Sequence, residues 1–259
     1  MSWVQALGAR TLAVMQGWGH AALFFIGLMG VLPQSLRRFK LVIVQIYAIG
    51  NRSLVIILAS GVAVGSVLAL QMYYALVTYG AAESVGLVVN LSLVRELGPV
   101  VTALLFAGRA GTSLTAEIGL MKAGEQLAAM ELMAIDPRAR VLAPRFIGGV
   151  VAMPLLAVLF SAVGILGAWL VAVGLIGIDA GNFWSIQQNK VDIWRDVGNG
   201  VVKSAVFGVV CTFVALYQGY EAQATPEGVS YATTRTVVVS SLAVLAMDFI
   251  LTALMFSTP

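Results

Sequence analysis

The sequence predicts an all-α integral membrane protein with five transmembrane helices, an N-terminal interfacial or re-entrant helical segment and one short helix on the cytoplasmic side. Only 10% of the residues are charged and 60% are hydrophobic, and the mean hydropathy is +0.95. Soluble domains contain about 25% charged residues. The apolar runs reach the roughly 20 residues that cross a bilayer, and Lys and Arg gather in alternate connections. We therefore expect a single membrane domain, 1–259, without a soluble catalytic domain.

The N-terminal segment, 1–40, is expected to lie at the membrane interface. Its apolar run, 21–32, is too short to cross a bilayer by itself. No small-residue cleavage site of a signal peptide follows this run. Arg37, Arg38 and Lys40 follow instead, and such a basic group holds a segment at the cytoplasmic surface.

The five membrane spans are predicted at 53–79, 85–118, 146–176, 197–220 and 236–256. Gly61 and Gly65 form a small-residue pair in the first span, which allows another helix to approach closely. The second span is too long for one crossing. Pro99 is expected to kink it, because proline removes a helical hydrogen bond; Pro154 is expected to do the same in the third span.

The distribution of cations predicts the topology. Lys and Arg concentrate before residue 53 and between 122 and 145, whereas Lys190 and Arg195 are the only ones in the outer segments, which are 80–84, 177–196 and 257–259. The positive-inside rule then places the N-terminus in the cytoplasm and the C-terminus outside. The segment 177–196 is expected to form an outer loop with a short interfacial helix.

A short amphipathic helix is predicted at 123–134, between two spans. Leu127, Met130 and Met133 recur at helical spacing, and Glu125 and Glu131 lie off that stripe. Such a helix can lie on the membrane or dock in a groove on a partner protein. A solvated loop helix without a partner would show the same spacing.

Among the charged residues inside predicted spans, four lie in the outer half of the membrane, namely Arg95, Glu96, Lys203 and Asp248. Their depths differ by about one helical turn at ~1.5 Å per residue, and their charges cancel. We expect a buried ionic cluster in the outer half of the membrane. It either ties three helices together or forms a polar wall for a lipid headgroup, and both roles are compatible.

A candidate lipid-binding face lies at the outer end of the first span. Five side chains share one side of that helix, and Leu97 of the second span is placed at a similar depth; the five are Leu68, Met72, Ala75, Leu76 and Tyr79. An aromatic belt at the membrane interface would explain the tyrosine equally well. Val158 and Leu166 on the third span are expected to contact bound lipid less.

The sequence motifs of several kinds of functional site do not occur. No G-x-x-x-x-G-K-[ST] motif occurs, so we expect no nucleotide site in this chain. His20 is the only histidine and Cys211 the only cysteine, so we predict neither a catalytic residue nor a metal site. No basic stripe interleaved with aromatics indicates nucleic-acid binding.

Several sequence blocks resemble the MlaE permease family, the membrane subunits of bacterial ABC transporters that move phospholipid between the inner and outer membranes. The blocks are RELGPV, AGRAGTSLTAEIG, EQ, MELMAIDPRARVLAPR, ATTRTVV and LAMDFILTALMF. The resemblance implies that 123–134 is the coupling helix, which inserts into an ATPase subunit through Glu125, Gln126, Met130, Glu131 and Met133.

The resemblance also implies an assembly in the bacterial inner membrane that maintains outer-membrane lipid asymmetry. It would contain a homodimer of this chain and MlaF-like ABC ATPase subunits, which bind ATP and Mg. It would also contain a membrane-anchored, MlaD-like MCE-domain subunit that binds lipid and an MlaB-like STAS-domain protein. The cargo would be glycerophospholipid. Two other classes stay open from the residues alone: a stand-alone ion- or proton-coupled carrier that uses the charged residues as a relay, and a membrane scaffold.

Overall fold

The computed structural model describes residues 3–256, which fold into ten α-helices and contain no strand. This confirms the predicted all-α membrane class. The helices are α1 (Trp3–Leu36), α2 (Phe39–Val77), α3 (Val85–Ser92), α4 (Gly98–Phe106), α5 (Thr112–Ala123), α6 (Gln126–Leu132), α7 (Ala143–Gly174), α8 (Ala180–Lys190), α9 (Gly198–Glu221) and α10 (Pro226–Phe256). The expected outer segment 257–259 lies outside the described residues.

Six helical segments of the described chain are long and apolar enough to cross a membrane, one more than the five predicted spans. The additional segment is Met15–Leu36, the C-terminal part of α1. The sequence argument from length was wrong here, because residues 15–20 continue the helix and add a turn and a half to the apolar run. The placement of α1 at the interface stays a prediction.

The second predicted span consists of α3, α4 and α5, joined by single π-helical turns at Leu93–Leu97 and Ala107–Gly111. The first π turn ends two residues before Pro99, where the wider turn accommodates the missing N–H group. Two more π turns, Arg138–Leu142 and Ile193–Val197, precede α7 and α9. Pro154 lies within the continuous helix α7.

The last helix begins earlier than the span predicted at 236–256. The connection after α9 is short, and α10 already begins at Pro226, a residue that favours the first turn of a helix. The segment 177–196 contains a short helix, as expected. This helix is α8, whose N-terminus is capped by the Asp179 carboxylate accepting from the Asn182 N–H at 2.7 Å.

The most extensive helix pair in the bundle is α2 with α7. Gly61 and Gly65 of α2 face Phe160 and Gly164 of α7 so closely that their backbones are in contact. A Cβ atom at Gly65 would overlap the Gly164 carbonyl group, and one at Gly61 would lie 2.9 Å from the Phe160 carbonyl oxygen. The glycine pair therefore sets the spacing between these helices, as small residues do in membrane bundles.

The helix α1 joins the bundle through aromatic contacts near its C-terminal half. The ring of Phe24 lies 5.5 Å from that of Tyr217 and 5.4 Å from that of Tyr220, both on α9. Phe24 and Leu28 belong to a buried cluster that also includes Ile118 of α5 and Leu127 of α6. The end of the bundle that carries α6 is thus packed around α1.

The contact between α2 and α7 yields a first testable prediction. Gly65→Ala should lower the thermal unfolding midpoint of the purified protein, because the added methyl group forces the helices apart and overpacking costs about 1–3 kcal/mol. Gly50→Ala, on the same helix, is the matched control, since its Cβ meets nothing within 4 Å. It should leave the midpoint unchanged or raise it, because alanine favours helix. Equal midpoints for the two variants would contradict this account of the α2–α7 packing.

Candidate functional site

Three of the four intramembrane charges meet around the ammonium group of Lys203. Its Nζ lies 2.7 Å from Glu96 Oε2 and 3.2 Å from Asp248 Oδ1, and it donates to Thr252 Oγ1 at 2.7 Å. Glu96 comes from the first π turn, Lys203 from α9, and Asp248 and Thr252 from α10. The hydroxyl of Thr252 in turn donates to Glu96 Oε2 at 3.2 Å. We call these four residues the Lys203 cluster.

Arg95 does not belong to the Lys203 cluster, although the sequence grouped it there. Its Nη2 lies 2.6 Å from Asp196 Oδ1, in the π turn before α9. Neighbouring residues on a helical turn point in different directions, so Arg95 and Glu96 reach different partners. Asp196 was missed because it ends a polar loop in the sequence. Its position directly before the span predicted at 197–220 was the available signal.

The separation of Arg95 changes the charge balance of the site. The Lys203 cluster holds two carboxylates and one ammonium group, not the balanced set of four that was predicted. Lys203 is completely buried, whereas the Glu96 and Asp248 side chains are 36% and 22% exposed. A carboxylate cannot face lipid hydrocarbon without a large cost. The partly exposed edge of the Lys203 cluster, formed by Glu96 and Asp248, must therefore face a water-filled cavity or a second protein subunit.

The predicted amphipathic helix is shorter than 123–134. Ala123 is the last residue of α5, and α6 spans Gln126–Leu132. Glu125 and Ala134 adopt left-handed backbone conformations, with φ of 56° and 57°, which end the helical segments on either side. Positive φ is uncommon for residues other than glycine, so the residue types at these two positions do not predict turns there.

The helix α6 is fixed to the bundle on one side and open on the other. Leu127 is 6% exposed and packs in the buried cluster with Ile118 and Leu216. The opposite end presents Leu132, which is 90% exposed, and Met133, which is 63% exposed. The predicted stripe is therefore divided between the two sides, with Met130 half-buried between them.

The remaining predicted contact residues of this segment, Glu125, Gln126 and Glu131, are exposed. Leu132 was missed by the sequence analysis, because helical spacing from Leu127 does not include it. Ile135, 41% exposed, extends the same apolar tip. We call Leu132, Met133 and Ile135 the α6 tip.

The predicted lipid-binding residues differ in burial. Four are half-buried and pack against the main core cluster, namely Leu68, Met72, Leu76 and Leu97. Ala75 and Tyr79 are exposed, and Tyr79 at 84% has an environment typical of an interfacial aromatic residue. Leu97 directly follows Glu96 of the Lys203 cluster.

An apolar cavity of about 180 Å³ lies between the first π turn, α7 and α9. Its wall includes Pro99, Val158 and Gly200. Two serine hydroxyls in the wall donate to backbone carbonyls, Ser161 to Leu93 and Ser204 to Val201, and so present little free polarity. Val158, which was expected to contact bound lipid less, thus lines a cavity. The sequence signal for this cavity was the run of small residues on α7 and α9.

Within residues 3–256, no group of three or more His, Cys, Asp or Glu side chains could hold a metal ion. The possible roles of the site follow from two parts of the molecule, the Lys203 cluster and the α6 tip. The Lys203 cluster offers opposed charges near a half-buried apolar face, and the α6 tip offers an apolar surface at the other end of the bundle.

Comparison with known proteins shows a matching protein family and several similar permeases. The family model described as "Permease MlaE" matches residues 42–254. The Haemophilus influenzae "Intermembrane phospholipid transport system permease protein MlaE" is 51% identical, over 99% of this chain and 98% of its own length. A "Probable ABC transporter permease protein" of Rickettsia bellii is 33% identical over 97% of this chain and 96% of its own. The chloroplastic "Protein TRIGALACTOSYLDIACYLGLYCEROL 1" of Arabidopsis thaliana is 29% identical over 82% of this chain and 60% of its own.

The geometry of the Lys203 cluster predicts unequal effects of its members. Lys203→Met should lower the free energy of unfolding by about 3–5 kcal/mol, because two carboxylates are left without their buried cation. Asp248→Asn should cost less, since Lys203 keeps Glu96. Thermal unfolding of the purified protein in detergent measures both, and Lys190→Met on the surface of α8 is the matched control.

The double variant Lys203→Met/Asp248→Asn tests direct contact. Its loss should be smaller than the sum of the two single losses, as for residues that interact. Additive losses would show that the two side chains do not interact.

Proposed function

The chain belongs to the MlaE permease family, and on this premise we propose that it is the membrane subunit of an ATP-driven transporter of glycerophospholipid between the inner and outer membranes. Such transport maintains the lipid asymmetry of the outer membrane. The full-length similarity to a relative named for intermembrane phospholipid transport supports the cargo. Six apolar helices support a multi-pass protein of the inner membrane.

The exposed α6 tip is the observation that carries the proposal. A solvated loop helix has no use for Leu132 and Met133 at 90% and 63% exposure. An amphipathic helix that presents apolar anchors is suited to a groove on a partner protein, here an MlaF-like ABC ATPase subunit that binds ATP and Mg. The chain itself is a permease subunit and not an enzyme.

Buried contacts provide a route for movement from α6 into the bundle. Leu127 packs with Ile118 of α5 and Leu216 of α9. Displacement of α6 by the ATPase therefore acts on α9, the helix that carries Lys203. In this way ATP hydrolysis at one end of the bundle shifts the charged site at the other end.

A homodimer is supported by the exposure of α10. Only 11% of its apolar window is buried within one chain, against 56% for α9. The same helix carries Asp248, whose partly exposed carboxylate needs cover. In our proposal a second copy covers this side, and a lipid lies between the copies. Its acyl chains contact the apolar face that includes Leu76 and Leu97, and its headgroup lies at the open edge of the Lys203 cluster.

The remaining parts of the proposed assembly rest on the family. They are a membrane-anchored, MlaD-like MCE-domain subunit on the periplasmic side and an MlaB-like STAS-domain protein in the cytoplasm. With α1 at the interface and five helical crossings, the N-terminus lies in the cytoplasm and the C-terminus in the periplasm. A stand-alone carrier would use the same buried charges, but it would not need the α6 tip.

Substitution of the α6 tip tests the coupling role. Leu132→Asp/Met133→Asp should abolish recovery of the ATPase subunit in a pull-down from cells that express both proteins, because the charges cannot enter an apolar groove. Leu175→Asp, at the 75% exposed end of α7 on the opposite membrane face, is the control and should leave recovery intact. Unchanged recovery with the α6 variant would favour the carrier.

Photo-crosslinking tests the lipid path. A photoreactive amino acid at Leu76 or Leu97 should capture phospholipid more strongly than one at Leu166, a 54% exposed position on α7 that samples the bulk bilayer. Mass spectrometry of the crosslinked peptides measures the difference. Equal labelling at the three positions would indicate bulk lipid and remove the proposed path.

A further inference from the structure

A second cationic site lies at the end of the bundle that carries α6. Arg37, Arg38 and Lys40, from the junction of α1 and α2, line an open pocket of about 430 Å³ together with Arg140, from the π turn before α7. Phe39 and Leu41 complete its wall. We call this the basic pocket.

A set of contacts brings Arg140 to the junction of α1 and α2. The guanidinium group of Arg138, two residues earlier, lies 5.9 Å from the ring centres of both Phe24 and Tyr220. Gly27 leaves room for it, since a Cβ atom there would lie 2.8 Å from Arg138 Nη1. The Arg138 N–H donates to Asp136 Oδ1 at 2.9 Å, which fixes the start of the turn. The basic pocket is therefore preorganised by buried contacts of its neighbours.

Among the described residues, no carboxylate forms an ion pair with the four cations of the basic pocket. All four are exposed, and among the described residues every ion pair within 4.0 Å involves Arg95, Arg145 or Lys203 instead. Four like charges around one concave surface repel one another, and an anion that enters relieves this repulsion. The pocket is thus suited to a ligand with one or more phosphate groups.

Apolar residues beside the cations indicate which anion fits. Phe39 is 63% exposed and Leu36 is 56% exposed, at the point where the apolar helix α2 begins. Ile43, one turn further along α2, is 48% exposed. A free phosphate or an acidic protein surface gains little from such a rim, whereas a phospholipid places its phosphate among the cations and its acyl chains along α2. Basic pockets beside membrane helices bind anionic headgroups in this way.

We propose that the basic pocket binds an anionic phospholipid of the surrounding leaflet, with preference for a lipid that carries two phosphates. This lipid is distinct from the cargo, because the Lys203 cluster lies at the other end of the bundle. It holds the junction of α1 and α2 against the π turn that follows α6, and so stabilises the loop that presents the α6 tip. The assignment of this lipid to the cytoplasmic leaflet rests on the topology proposed above. The proposal that the basic pocket binds the lipid does not depend on that topology.

Native mass spectrometry tests the proposal by counting the lipids that bind to the delipidated full chain in a neutral detergent. The probes are cardiolipin, phosphatidylglycerol, phosphatidylcholine and glycerol phosphate. Cardiolipin should bind most tightly, and phosphatidylcholine should show no saturable binding. Arg38→Gln/Arg140→Gln should weaken cardiolipin binding about 25-fold, at about fivefold for each cation. The variant Arg38→Lys/Arg140→Lys, which keeps both charges, should retain most of the affinity.

The control variant Lys190→Gln/Arg235→Gln removes the same number of charges outside the basic pocket and should bind cardiolipin as the unaltered chain does. Equal weakening in both Gln variants would indicate diffuse attraction and overturn the proposal. Glycerol phosphate binding as tightly as cardiolipin would also overturn it, in favour of a free-anion site. Unchanged cardiolipin binding by Arg38→Gln/Arg140→Gln would overturn it as well, and loss of the ATPase subunit from a pull-down with that variant would then indicate an acidic protein surface. The two proposals are tested separately, because lipid counting depends on Arg38 and Arg140, whereas the ATPase pull-down depends on Leu132 and Met133.

Discussion

The burial of one ammonium group governs the end of this bundle that lies opposite α6. Lys203 Nζ has no exposure and is satisfied only if Glu96, Asp248 and Thr252 come to it from two other segments. An unpaired buried charge costs several kcal/mol, so the second span, α9 and α10 are held in one arrangement. This constraint explains how α10 keeps its position although so little of it is buried within the chain.

The two ends of the bundle have opposite physical character, and the same helices join them. One end concentrates opposed charges inside the membrane. The other is packed with aromatic and aliphatic side chains, including Phe24, Leu127 and Leu216, around the base of α6. Because α9 contributes to both ends of the bundle, displacement of α6 is transmitted through α9 to Lys203. A permease driven by a separate ATPase needs this kind of rigid link between the place where work is delivered and the place where lipid is held.

Sequence reasoning predicted the features that depend on composition and on depth in the membrane. It failed for the features that depend on the direction of a side chain or on the conformation of the backbone. The all-α membrane class followed from hydropathy, and the similar depths of Glu96, Lys203 and Asp248 brought them together correctly. Depth carries no information about the side of a helix, so Arg95 was assigned to the wrong partner. The bounds of α6 depend on the left-handed backbone of Glu125 and Ala134, which these residue types do not favour. The length of α1 was underestimated because weakly polar residues before its apolar run continue the helix.

The four single π turns in residues 3–256 have a consequence for how such a sequence can change in length. A π turn holds one residue more than an α-helical turn, so deletion of one residue there restores regular helix without breaking the chain's hydrogen bonding. Because the turn then closes with one residue fewer, the helix beyond it keeps its direction, and only the side chains within the turn change their angular positions. At Leu93–Leu97 these side chains include Glu96, which contacts Lys203. The local backbone would tolerate the shorter span, whereas the ionic contact would not, so the spacing of this segment is under a constraint that hydropathy alone does not record.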